Sequence, residues 1–216
     1  MANPFQKTQG KFSFVIPCFK TAKHLETNLM HLNDQDYKNF EVIIVFDGKD
    51  SKGEEIVKGL IKKYPKMEIK YDTIKHKGAP AARNRGAELA TGDYYSFLDA
   101  DSYFYPGTVR EWANLFETNP DINRIWGLYD MNQTGIPVPL GGGVPTDKSG
   151  RPIYWAFRFA NYCSGTFPVR KEAYVGWDED LKSLQDWDLN IRMLKKDNWE
   201  GTDWLYVPKH YLITEQ

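Results

Sequence analysis

The stretch EVIIVFDG, residues 41–48, is apolar almost throughout until it reaches Asp47. A strand with one wet face alternates, whereas an unbroken apolar run marks a strand covered on both faces, as in the middle of a parallel sheet. That segment demands layers above and below it, and its neighbours can supply them. FSFVIPCF (12–19) reads as another buried strand, stopped by Pro17 near its end. HLETNLMHLNDQ then sets Leu25, Leu29 and Leu32 on one helical face. After the central strand, GEEIVKGLIKKY spaces Ile56, Leu60 and Tyr64 by four, and MEIKYDTI alternates as an outer strand does.

The rhythm continues through GAPAARNRGAELATG, with Pro80 near a helix start and Gly92 near its stop. DYYSFLDAD, a helix from Gly107 to about Thr118, and the strand INRIWGLYDM follow. Strand and helix in such alternation predict a single α/β domain, its mainly parallel, Rossmann-like central sheet flanked by helices on both faces. Ligands of such sheets collect at the carboxyl ends of the strands. Three strands end in PCFK, FDGKD and DADS, so their polar residues are expected along one edge.

From Asn132 to Asn161 the rhythm breaks. QTGIPVPLGGGVPTDKSGRPIYW is rich in glycine and proline and reads as an active-site loop rather than a linker, because no second set of alternating elements follows. A helix around SLQDWDLNIRMLKK and the strand WLYVPKHYLI close the chain. The expected division within the one domain is a first half of about 11–131 and a second half of about 132–216.

Bulk properties exclude several classes. At 41% hydrophobic and 15% aromatic, the 216 residues suffice for a sizeable core. The net charge of −1, without a long run of one sign, favours no nucleic-acid partner. Cys18 and Cys163 stand far apart in no CxxC pattern, which argues against a zinc site or disulfide framework. The first residues lack a signal peptide's apolar core, and no stretch approaches the ~20 apolar residues of a membrane span, so a soluble cytoplasmic protein is expected. GGGVPTDKS carries Asp147 where a P-loop requires glycine, and no GxGxxG follows the first strand.

The acidic pair in YYSFLDADSYF, Asp99 and Asp101, is the chemical clue. On an extended chain, side chains two apart point the same way, ~6–7 Å apart. Two carboxylates so placed repel unless a cation lies near, and oxygen ligands of this kind suit Mg²⁺ or Mn²⁺ bound together with substrate phosphates. In LQDWDLNIRML, Asp188 precedes Arg192 by four, the favourable order for a helical ion pair, and is read as structural. Asp186 has Asn190 at that offset and stays unpaired, beside a buried stripe of Trp187, Ile191 and Leu194.

Four ordered blocks, VIPCFK, VIIVFDG, GAPAARNRGAELATGDYYSFLDADS and GTFPVRKEAYVGWDEDLKSLQDWDLNIRML, resemble family 2 glycosyltransferases of the GT-A fold. The resemblance implies a metal-dependent, inverting transfer of sugar from a nucleotide diphosphate-sugar, commonly a UDP-sugar, to an acceptor hydroxyl. It implies a base and ribose pocket of Pro17, Cys18 and Phe19, with Asp47 accepting from the nucleobase. Arg83 matches a position near the donor, where an anionic neighbour would offset the helix dipole, while Arg85 reads as a surface residue. Asp101 would contact the Mn²⁺ or Mg²⁺, Asp99 the ribose or a metal-bound water, and His210 would be a third ligand. Asp186 matches the general base that takes the acceptor's proton.

The chain departs from the family at Gln185, where Glu is usual, which removes a negative neighbour of Asp186. Lys20 departs too, where Asn is frequent. The acceptor is expected to meet the glycine-rich loop and Trp155, Trp187 and Gln185. Two other classes stand beside this one: a catalytically silent nucleotide-sugar or glycan-binding module, and a nucleotidyltransferase, whose basic glycine-rich loop PCFKTAKHL lacks.

Overall fold

The structure, a computed structural model, describes residues 10–132, 137–140, 145–148, 152–161, 163–196 and 198–215. The first strand, β1 (Phe12–Cys18), pairs in parallel with β2 (Phe40–Asp47) on one side and β4 (Tyr94–Phe97) on the other. β2 is buried at every residue, as its unbroken apolar run requires, and β3 (Glu68–Ile74) closes that edge in parallel. On the far side the sheet continues through β8 (Val169–Arg170), β6 (Arg124–Asn132), β9 (Trp204–Glu215) and β5 (Ser102–Phe104). β6 and β9 are parallel, while β8, β5 and the hairpin strand β7 (Pro137–Leu140) run antiparallel to their neighbours. The sheet is thus mixed, and its longest pairings are parallel. Strands from both expected halves interleave in it.

Five helices cover the sheet among the described residues: α1 (Leu25–Asn33), α2 (Ser51–Lys63), α3 (Ala79–Leu89), α4 (Thr108–Thr118) and α5 (Gln185–Lys196). Leu25, Leu29 and Leu32 of α1 are fully buried, as their spacing predicts. α2 differs from its expected face. Asp50 caps it by accepting from Gly53 N at 2.9 Å, and the buried line is Gly53, Val57 and Leu60, with Ile56 turned outward. Spacings of four and three follow the 3.6-residue turn better than a run of fours, which drifts around the helix. Pro80 lies in the first turn of α3, where its missing N–H is harmless.

β4 ends sooner than expected. Leu98 N still donates to Val15 O of β1 at 2.9 Å, but Asp99 leaves the ladder, and Ser102 N donates to Asp99 O at 3.0 Å across a turn. Asp99 and Asp101 therefore stand on a turn, not on one face of an extended strand. A second correction concerns α5, whose buried residues are Leu189, Asn190, Met193 and Leu194, with Trp187 and Ile191 only half-buried. Asp186 falls four before Asn190 and so belongs to the inward face itself, not beside it. Much of the glycine-rich loop, including residues 141–144 and 149–151, lies outside the described residues. What is described there includes β7 and a 3-10 turn at Tyr154–Arg158.

Candidate active site

The carboxyl ends of β1, β2 and β4 open into a cleft of ≈ 310 Å³ lined by Pro17, Cys18, Phe19, Asp47, Arg83, Asp99 and Asp101, among others. The tails read from sequence thus meet at one rim. Thr21 and Thr214 complete the wall, and neither carries a sequence signal of its own. Asp47 is buried and already employed: Oδ1 accepts from Lys77 N at 2.7 Å, Oδ2 from Gly78 N at 3.0 Å, and His76 Nδ1 lies 2.7 Å from Oδ2. The carboxylate pins the loop that enters α3. His76 in turn stacks on the half-exposed Phe19, ring centroids 4.4 Å apart. Lys20 adopts φ 57, a left-handed conformation that Asn visits far more readily than most residues.

The acidic turn is held from behind. Asn28 of α1 is buried and donates to Asp99 O at 3.3 Å and Ser102 O at 2.6 Å. Its signal in the sequence was a polar residue set among Leu25, Leu29 and Leu32. Asp99 Oδ1 accepts from Arg83 Nη2 at 2.8 Å, the anionic neighbour that a cation in the early turns of α3 calls for. The other arm of the guanidinium, Nη1, reaches Gln185 Oε1 at 3.0 Å, and its plane lies 4.5 Å from the Trp177 ring centre. Arg83 therefore joins the cleft rim to the first turn of α5. Arg85, two residues on and so on nearly the opposite side of α3, pairs with Asp72 and Glu88 outside the cleft.

Gln185 is matched to its place. Its Nε2 donates to Leu181 O at 3.2 Å while Oε1 accepts from Arg83, a pair of roles a carboxylate cannot fill. Asp186 Oδ2 accepts from Gly165 N at 3.1 Å. Loss of solvation pushes the Asp186 carboxyl above its ordinary range; the charge of Arg83 opposes this, Asp99 reinforces it, and Gly165 N–H and Arg124 oppose it further. Such a carboxylate holds a proton more tightly than a solvated aspartate does. Asp188 makes the expected ion pair with Arg192, at 2.7 Å.

Three expected site residues lie elsewhere. His210 Nδ1 stands 2.7 Å from Asp130 Oδ1, in the middle of β9. The β9 residue at the cleft is Thr214, four residues on, ~13 Å along an extended strand. Trp187 Nε1 donates to Phe157 O and so anchors the 3-10 turn to α5. Trp155 is exposed on that turn, edge-to-face with the exposed Phe159 at 5.8 Å. Asp99 and Asp101 suit a hard divalent cation of the Mg²⁺ or Mn²⁺ type, which uses one or two carboxylates and completes its shell with phosphate and water. No cluster of three or more metal-ligating side chains exists among the described residues. No helix among them is long and apolar enough to cross a membrane.

The model of glycosyl transferase family 2 matches residues 13–174. The chain is 41% identical over 196 residues, 84% of its length, to the amylovoran biosynthesis glycosyltransferase AmsB of Erwinia amylovora, spanning 63% of that protein. Among solved structures it resembles S. aureus TarS 1-349 in complex with UDP-GlcNAc, with TM-score 0.74 at 20% identity, covering 95% of this chain and 58% of that one. It also resembles a mannosyltransferase from Pyrobaculum calidifontis in complex with GDP-Man and Mn²⁺, with TM-score 0.67 at 14% identity, covering 96% of this chain and 57% of that one. The chain thus spans less than two thirds of the length of these relatives.

Proposed function

Because this chain belongs to glycosyl transferase family 2, we propose that it moves a sugar from a nucleotide diphosphate-sugar to an acceptor hydroxyl, with inversion and with Asp186 as general base. The observation that carries the reading is the Arg83 bridge. One guanidinium touches Asp99 on the donor rim and Gln185 beside Asp186, so the leaving-group and proton-accepting ends of a displacement adjoin.

The nucleobase lies against Pro17, Cys18 and Phe19. Three of Asp47's roughly four lone-pair directions hold the His76–Gly78 loop, and the remaining one accepts from a base N–H, which suits uridine. Asp101 with Asp99 would hold a divalent cation, which when bound would supply Lewis-acid neutralisation of the departing diphosphate. Arg83 adds a fixed positive charge on the same side. Asp186 takes the acceptor's proton as its oxygen bonds to the anomeric carbon and the bond to phosphate breaks on the opposite face. No covalent intermediate is needed, so one carboxylate suffices. Trp155 and Phe159 offer apolar faces to a sugar acceptor, and the relative named for amylovoran biosynthesis supports a glycan acceptor.

The test is hydrolysis and transfer across a panel of UDP- and GDP-sugars with Mn²⁺, Mg²⁺ or chelator, for wild type and Asp186→Asn. Metal-dependent turnover lowered about 10²–10⁴-fold in the variant, with donor binding kept, is the expected result. Equal turnover removes Asp186 from the mechanism. Binding without turnover in the wild type makes the chain a silent module.

A further inference from the structure

Arg124, the first residue of β6, is wholly buried. A guanidinium out of water must satisfy both its charge and its N–H groups, or the burial is strongly unfavourable. Its surroundings are mostly soft and neutral. Nη1 lies 3.8 Å from Met193 S, Nη2 lies 3.3 Å from Cys163 Sγ, and the Trp204 ring centre is 5.2 Å from Arg124 Cζ. Burial pushes the Cys163 thiol upward despite the nearby Arg124, so that sulfur is not the counter-ion. Nε has no partner, and the guanidinium forms no ion pair among the described residues.

Its one strong acceptor is Ser164 O, 3.1 Å from Nη2. That carbonyl and Gly165 N–H are the two ends of a single trans peptide unit, and so point in opposite directions. The N–H end donates to Asp186 Oδ2 at 3.1 Å. Cation, peptide dipole and carboxylate therefore stand in line. The peptide can lie there only because residue 165 is glycine: a Cβ would meet a Trp177 ring carbon at 2.4 Å and Asp186 Oδ1 at 3.3 Å.

We propose that Arg124 is a positioning residue for the transfer reaction: it clamps the Ser164–Gly165 peptide so that its N–H holds Asp186 in the orientation that receives the acceptor's proton. The inference rests on the transferase reading above. Arg124 lines no part of the donor cleft and is linked to Asp186 by hydrogen bonds only through the peptide. The buried positive charge strengthens the Gly165 donor by polarising its carbonyl. It also supplies one of the two cations that face Asp186, the other being Arg83, against Asp99 on the opposing side.

The test compares Arg124→Gln and Arg124→Lys with wild type, using the nucleotide-sugar that wild type turns over. Readouts are kcat, KM, nucleotide affinity by calorimetry, and the melting temperature. Arg124→Gln should lower kcat about 10²-fold, the loss expected when a catalytic group is misplaced by an ångström, with KM and nucleotide affinity unchanged. Arg124→Lys keeps the charge and should recover at least about tenfold of that loss. A folded Arg124→Gln with wild-type kcat overturns the proposal, as does a parallel rise in KM. If Arg124→Gln does not fold, Arg124→Lys decides alone: kcat about 10²-fold down overturns it, and kcat within tenfold with KM unmoved sustains it. An inert wild type defeats the transferase reading instead, while a wild type that depends on Asp186 and ignores Arg124 defeats only this one.

Discussion

Two acids at opposite rims of the same sheet, Glu41 fully buried and Asp186 partly so, have been given opposite chemistry. Glu41 is the second residue of β2, at the amino end of the strands. Burial alone would raise its pKa, but Lys70, Thr91 and Ser13 outweigh that and bring it down from the usual 4.5 to about 2. Its Oε2 lies 2.6 Å from Lys70 Nζ, and its Oε1 accepts from Thr91 N at 2.6 Å and Ser13 Oγ at 2.7 Å. Asp186, at the carboxyl-end rim, has one backbone N–H and cations at a distance, and its pKa is raised. A surplus of donors makes an acid that holds the fold. A shortage makes one that is ready to take a proton.

The contrast breaks most readily at Asp186. Replacing it with Asn should cut transfer about 10²–10⁴-fold, yet leave or raise the melting temperature. The sign follows from linkage: a carboxyl whose folded pKa lies above its unfolded value loses stability as pH rises through the folded value, so the ionised group is a burden at neutral pH. A fall in melting temperature in Asp186→Asn would erase the contrast. At the other rim the sign reverses. Glu41→Gln should cost on the order of 2–3 kcal/mol at pH 7, seen as a fall of roughly 5–10 °C in melting temperature, with transfer unchanged at permissive temperature. Wild type should lose that contribution as pH drops from about 4.5 to about 2, and the variant should lack this acid-sensitive component.

Two smaller changes sharpen the comparison. Gln185→Glu adds a negative charge beside Asp186 and commits Arg83 to it. The acid limb of the kcat/KM profile should move up by about one unit, and an unmoved limb would mean that Arg83 and Gln185 are electrically remote from the base. Asp188→Asn removes only an ion pair at i,i+4. It should alter stability by about 0.3–0.5 kcal/mol and leave transfer as in wild type, which a denaturant titration and one turnover assay would check.

The architecture was largely legible in the chain. β2 is buried on both faces because Val42 to Phe46 are all apolar and its one charged residue before Asp47, Glu41, is fully hydrogen-bonded, and the three polar strand tails had to share a rim once the strands ran parallel. The family model matched residues 13–174, and the cleft at the strand ends collects Pro17, Cys18, Phe19, Asp47, Arg83, Asp99 and Asp101. Errors arose where phase or termination mattered. Asp99 and Asp101 sit on a turn because Ser102 closes it, a backbone bond that no periodicity encodes. Asp186 faces inward because α5 begins at Gln185 and so turns residues 186, 190 and 193 together. The family resemblance implied His210 as a ligand, whereas the β6–β9 register sets it opposite Leu128 and beside Asp130.

What the sequence by itself determined is which residues are apolar, how often they recur, and hence the order and class of the elements. Those are local properties, read within a turn of helix or a few residues of strand. Tertiary structure alone decided the company each charge keeps. Arg83 meets Gln185 across 102 residues of chain, Arg124 meets Ser164 across 40, and Asp186 meets Gly165 across 21. Each meeting follows from how helices and loops pack on a shared sheet. Because a carboxylate's affinity for a proton depends on donors and charges within a few ångströms, the two acids could not be told apart until that packing was known.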